Sequence, residues 1–143
     1  SVVYRKTAGS GPPEIQTLAT LKTDLGLAGT NSGDSAFNPP RVSSATSTAT
    51  LTVDAGTTDV AILTAQAAAL TIAAPTGSPV QGQKLIIRIK DNGTARALTW
   101  NSVFREFGAG KPTTTAIGKT LYIGCIYNAT DSKWDIVAVQ QEV

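Results

Sequence analysis

Carboxylates are the residues of this chain whose type and number best suit catalysis. Asp54, Asp59, Asp91, Glu106, Asp131, Asp135 and Glu142 lie in its C-terminal part, and two of them across a cleft could serve as general acid and base. Most of them fall in turn-like sequence, where Asp is favoured for hydrogen bonds to its own backbone. The chain has no histidine, which removes the commonest general base and metal ligand and excludes serine–histidine and cysteine–histidine nucleophiles. Its one cysteine, Cys125, sits within a strand-like run and reads as a small buried hydrophobe.

Oxygen-rich loops raise the question of calcium. Asp54 and Asp59 flank a Gly-Thr-Thr loop, and Asp91-Asn92-Gly93 clusters polar groups. Neither matches an EF-hand spacing, so the expectation is no metal, no cofactor and no catalytic residue. Asn92-Gly93-Thr94 and Asn128-Ala129-Thr130 match the glycosylation sequon, but no secretory signal accompanies them. Gly108 to Lys111 lacks the length and the hydroxyl of a phosphate loop. Trp100, Tyr122, Tyr127 and Trp134 could stack sugars, or could fill a core or a subunit interface.

Composition narrows the class. Charged residues make up 15% of the 143 and aromatics 6%, against ~25% charge in ordinary soluble domains. Thr, Ser, Ala and Gly fill the difference, which suits β-sandwiches and particle-borne proteins better than cytosolic enzymes. A net charge of +2 with scattered basic residues gives no footprint for nucleic acid. No apolar run reaches the length of a membrane span or has the flanks of a signal peptide. Ser1 is a small residue of the kind left when an initiator methionine is removed, and is equally compatible with an engineered start.

The elements that would position these residues are mostly strands. Lys119–Asn128 and Lys133–Gln140 form an antiparallel hairpin around the polar loop Ala129–Ser132. The first run places Leu121, Ile123, Cys125 and Tyr127 on one face and Tyr122, Gly124 and Ile126 on the other. Apolar residues on both faces predict a strand covered on both sides, by a second sheet or a neighbouring subunit. Tyr122, Ile126, Trp134 and Val137 are therefore candidates for a subunit interface or the core. Gln83–Lys90 alternates, with Leu85, Ile87 and Ile89 inward and Lys84, Arg88 and Lys90 outward. Asp91-Asn92-Gly93 predicts a tight hairpin leading into a returning strand, Ala95–Trp100. With Ala49–Asp54, Asp59–Ala65, Ala69–Ala73 and Val103–Phe107, residues 47–143 are expected to form 8–9 short strands in an antiparallel β-sandwich or jelly-roll-like domain. No repeat of fixed period is visible.

Residues 1–46 read as an N-terminal segment with an extended linker. Ser1 to Arg5 could be a short strand, stopped by Ala8 to Pro13. A short helix is expected over 14–25, with Pro12 and Pro13 before it, Glu14 at its start and Gly26 after its end. Its stripe of Ile15, Leu18, Leu21 and Leu25 must pack on something, because about three turns are marginal in water.

Two stretches carry a resemblance. Leu18-Ala-Thr-Leu-Lys-Thr-Asp-Leu-Gly-Leu-Ala-Gly-Thr-Asn-Ser-Gly-Asp34 is similar to a linker of tailed-bacteriophage appendage proteins. Ala69-Leu-Thr-Ile-Ala-Ala-Pro-Thr-Gly77, Gly82 to Trp100 and Leu121 to Asp135 resemble a module of phage and prophage structural proteins. The resemblance implies a non-enzymatic virion component, made in the host cytoplasm and placed on the virion surface as a head decoration or short fibre. It also implies a homotrimer, and the N-terminal segment, through Ile15, Leu18, Leu21 and Leu25, is expected to anchor it on the major capsid protein or another virion protein. Here the linker meets Phe37-Asn-Pro-Pro40 and one β domain instead of a long shaft, which favours a compact surface protein. The alternative expectation is a receptor- or glycan-binding module of a tail fibre.

Overall fold

The structure, a computed structural model, describes residues 2–4, 14–16, 19 and 39–143 apart from 109. The chain divides into two compact units, Ser1–Asn38 and Pro39–Val143.

In the first unit, β1 (Val2–Tyr4) pairs antiparallel with β2 (Glu14–Gln16), with Val3 opposite Ile15. This corrects the helix expected over 14–25 at its start. Ala19 has helical backbone, but Leu18, Leu21 and Leu25 lie outside the described residues. A helix of about three turns is marginal alone, and the β-favouring Val2-Val3-Tyr4 offers Glu14–Gln16 a backbone partner instead.

The second unit is all β among its described residues. Its strands are β3 (Val42–Ala45), β4 (Thr50–Leu51), β5 (Val60–Gln66), β6 (Leu70–Ile72), β7 (Lys84–Asp91), β8 (Leu98–Trp100), β9 (Phe104–Glu106), β10 (Thr120–Asn128) and β11 (Lys133–Gln141). They form a six-stranded sheet, ordered β3-β5-β7-β10-β11-β9, and a three-stranded sheet, ordered β4-β6-β8. From β3 to β8 the chain alternates between the two sheets, and each strand lies parallel to the one two before it. β10 and β11 then form the expected antiparallel hairpin, with β10 laid antiparallel on β7. β9 closes the far edge, parallel to β11.

The mixture of parallel and antiparallel strands corrects the purely antiparallel expectation. The Asn92-Gly93 turn is where they part. Gly93 has the positive φ of 102° that the motif predicts, yet β8 does not return beside β7. The Asp91 carboxylate instead accepts the Gly93 amide at 2.7 Å, and the chain crosses to the smaller sheet. Val42–Ala45, grouped with the linker by its sequence, is an edge strand of the larger sheet.

Both sheets contribute to one core. Leu63, Leu85, Ile87, Ile89, Leu121, Ile123, Phe104, Trp134 and Ile136 come from the larger sheet, and Leu70, Ile72 and Leu98 from the smaller. Period-two alternation aims these side chains inward. At roughly 25 cal/mol per Å² of apolar area removed from water, their burial is the main favourable term in folding.

Two of the polar side chains buried inside the unit are fully answered, whereas the buried Arg96 Nε has no hydrogen-bond partner among the described residues. Gln66 is fully buried, donating to the carbonyls of Thr48 and Ala68 and accepting the Thr48 amide. Asp91 is 3% exposed and accepts the Thr115 hydroxyl at 2.6 Å and the Gly118 amide at 2.9 Å. These bonds tie the end of β7 to the loop that enters β10, fixing the centre of the larger sheet.

Candidate functional site

The outer face of the six-stranded sheet is the surface most unlike a solvated one. Register alone places Val42, Val60, Ile86, Gly124 and Ala138 in one row across five strands. At ~4.8 Å per strand the row is roughly 19 Å long. Val42 is 57% exposed and Ile86 40%. Gly124 leaves the middle of the row low, since a Cβ placed there would lie 3.5 Å from the Ala138 methyl.

A bulge adds to this row. The β10–β11 register slips between Gly124 and Cys125, so that Gly124 opposes Ala138 while Cys125 opposes Ile136. The extra residue is Val137, and both it and Ala138 face outward. Ile136 and Trp134 before it, and Val139 after it, still pack on the core.

The neighbouring rows are polar. On one side Ser44, Ile62, Arg88, Tyr122 and Gln140 align. The Arg88 guanidinium carbon lies 5.9 Å from the centre of the Tyr122 ring. Beyond this row, Lys90 meets Glu142 at 3.2 Å. On the other side Lys84, Ile126, Asp135 and Arg105 align, and Arg105 is clasped by Asp135 at 2.8 Å and Asp131 at 2.9 Å. Arg88, Lys90, Thr120, Tyr122, Gln140 and Glu142 line an open groove of about 480 Å³.

The four residues singled out for a subunit interface or the core divide between them. Trp134 is in the core at 2% exposure, where it packs on Tyr127. Tyr122, Ile126 and Val137 are on the open face, at 47%, 36% and 51% exposure. β10 is thus covered on its inner side by the molecule's own core, while its outer apolar residues stay open. Of the anchoring residues, Ile15 lies in β2, and Leu18, Leu21 and Leu25 fall outside the described residues. Sequence reasoning missed the row itself, because Val42, Val60, Ile86 and Ala138 share no periodicity along the chain.

The remaining chemical candidates are engaged in structure. Asp59 is held by Arg41 through both side-chain oxygens, and this hydrogen bonding brings its carboxyl down to about 2. Arg41 also donates to the Gly56 carbonyl. Asp54 accepts the Gly56 amide, and Glu106 the Lys111 amide. The Thr120 amide, then its hydroxyl and Lys90, hold the Glu142 carboxyl at about 2. Burial pushes the Cys125 thiol up to about 12. Among the described residues no group of His, Cys, Asp and Glu could hold a metal ion, and no helix is long and apolar enough to cross a membrane.

The aromatic residues do not form one platform. Trp100 is half-buried, with its ring nitrogen donating to the Pro112 carbonyl at 2.8 Å and its ring in a T-shaped contact with Phe104. Tyr127 packs with Trp134 beside the loop residues Pro75 and Pro79. Tyr122 alone of the four is open to solvent on the sheet. Compared with family models, with curated proteins and with solved structures, the chain finds no match.

Proposed function

We propose that this chain is a non-enzymatic structural subunit of a tailed-phage particle, a homotrimeric surface decoration or short fibre. In this reading residues 39–143 form a β-sandwich knob, and the N-terminal segment anchors on the major capsid protein or another virion protein. The observation that carries it is the open apolar row from Val42 to Ala138, widened by Val137 and Ile126. Solitary exposed apolar side chains need no explanation, but a continuous row across a sheet is the usual mark of an interaction surface.

A second copy is the occupant this reading commits to. The row carries Val42, Val60 and Ile86 and is low at Gly124 and Ala138, a surface on which copies of the chain can meet about a threefold axis. Its rims carry both signs of charge, Arg88 and Lys84 on β7 against Asp135 on β11 and Glu142 just past its end. Three anchors joined in one trimer would bind a particle far better than one, provided all engage together.

Mass in solution tests the reading. The full chain is expected to run as a trimer, and the double variant Ile86→Asn with Val137→Asn as a folded monomer. Both positions are exposed in the single chain, so the variant's melting temperature is expected to stay close to the parent's in monomeric form. A parent chain that is monomeric at high concentration, or a variant that still trimerises, removes the row from this role. The glycan-binding alternative loses the support that an exposed Trp100 or Trp134 would have lent it, and retains only the Tyr122 groove.

A further inference from the structure

The groove at the margin of the apolar row has a composition of its own. Its floor is β7, β10 and the C-terminal end of β11, where Thr120 pairs with Lys90 and Tyr122 with both Arg88 and Gln140. Its charges do not cancel. Lys90 is held by Glu142 at 3.2 Å and by the Gly118 carbonyl at 2.7 Å. Glu142 in turn is spent on Lys90 and on the Thr120 amide at 2.8 Å. Arg88 has no carboxylate or hydrogen-bond acceptor among the described residues; its recorded contact is the Tyr122 ring. A guanidinium lying near an aromatic ring keeps its planar edge of N–H donors free for an incoming carboxylate, which it can grip in bidentate fashion.

The rest of the lining suits a ligand rich in hydroxyls. Gln140 offers an amide donor and acceptor, and Tyr122, 47% exposed, offers both a phenol and a ring. Such planar and hydroxyl groups can exchange hydrogen bonds with a sugar ring while an aromatic face covers its apolar side. The volume of about 480 Å³ is within the range of small-molecule sites, roughly 300–1,000 Å³.

We propose that the Arg88–Tyr122–Gln140 groove binds a carboxylate-bearing sugar, a sialic or uronic acid unit of a glycan. The carboxylate meets Arg88, and the ring lies along Tyr122 toward Gln140. One open groove binds such a unit weakly, in the millimolar range. The proposal stands on this face of a single chain and does not depend on the assembly reading.

The test is an amide-resolved NMR titration of the full chain with 3′-sialyllactose, with lactose and sodium acetate as separate arms. Sialyllactose is expected to shift resonances of Tyr122, Gln140 and their strand neighbours, and lactose to leave them in place. Arg88→Gln is expected to weaken binding about tenfold, as for loss of ~1.4 kcal/mol, whereas Lys111→Gln on a distant loop leaves it unchanged. Acetate acting as strongly as sialyllactose would overturn the sugar assignment, and lactose acting as strongly would overturn the role of the carboxylate. The Ile86→Asn, Val137→Asn variant is titrated alongside. Shifts in that variant alone still support the groove and show that assembly hides it. No shift in either protein overturns the proposal, whatever their masses.

Discussion

Removing the Asp91 carboxylate is expected to be the most damaging single polar change in the β unit. Oδ1 accepts the Gly93 amide at 2.7 Å and the Gly118 amide at 2.9 Å, and Oδ2 accepts the Thr115 hydroxyl at 2.6 Å. Asp91→Ala strands these donors. Each buried unsatisfied donor costs about 1–3 kcal/mol, less where the loop can let water in. A loss of about 3–4 kcal/mol is therefore expected. At 4–8 °C per kcal/mol for a domain near this size, the melting temperature falls by about 15–25 °C. Asp91→Asn keeps the Oδ1 acceptor and both amides. It loses the charge and forces the Thr115 hydroxyl to accept where it donated, for a smaller cost of about 1–2 kcal/mol.

The pH dependence separates charge from shape. Burial alone would raise the Asp91 carboxyl, but the bonds from Thr115, Gly118, Gly93 and Thr94 outweigh it and hold it below its ordinary value. A depressed folded value stabilises the protein above the unfolded pKa of about 3.9. That contribution is lost as pH falls through the folded value. Asp91→Asn lacks it at every pH, so the gap between variant and parent is expected to narrow below about pH 4. Urea unfolding followed by Trp100 and Trp134 fluorescence at pH 7 and pH 3 measures both quantities. If Asp91→Ala costs under about 0.5 kcal/mol, the range of ordinary surface changes, the reasoning fails. It fails equally if the Asp91→Asn gap is the same at both pH values.

Gly77 is expected to tolerate no side chain. Its φ is 82°, and a Cβ there would lie 2.7 Å from Asp54 Oδ1 and 2.9 Å from the Gly56 amide nitrogen. Gly77→Ala should lower stability by about 2 kcal/mol or more, from a left-handed backbone combined with a backbone clash; an unchanged melting curve would show that the loop simply shifts. Cys125 is buried, with its thiol pushed up to about 12 by that burial. It should be inert to a thiol reagent at pH 8 in the native protein and react fully in denaturant. Rapid labelling of the folded chain would mean that β10 opens far more readily than its central position implies.

Single strands were legible because alternation is local. Leu85, Ile87 and Ile89 in β7, and Leu121, Ile123 and Cys125 in β10, point inward as their spacing requires, and β10 turns into β11 through the loop at Ala129–Ser132. The Asn92-Gly93 signal was read correctly as a positive-φ turn and wrongly as a hairpin. Turn chemistry fixes the backbone at Gly93, whereas the Asp91 side chain, held by Thr115 and Gly118, decides where the chain goes next. Register was also out of reach at Val137, where one extra residue reverses the facing of Ala138 and Val139 without any mark in the composition.

The sequence alone determined that the chain is β-rich, that it lacks the histidines of common catalytic systems, and that β10 carries apolar residues on both sides. Those properties depend on residue types and on neighbours a few positions away. The tertiary structure decided which sheet each strand joins and so created the row from Val42 to Ala138. Its partners are 18 residues apart at Val42 and Val60 and 26 apart at Val60 and Ile86. Those in the smaller sheet are 21 apart at Thr50 and Thr71 and 28 at Leu70 and Leu98. Loops of unequal length erase any fixed period along the chain, while backbone hydrogen bonding still brings the strands into register side by side.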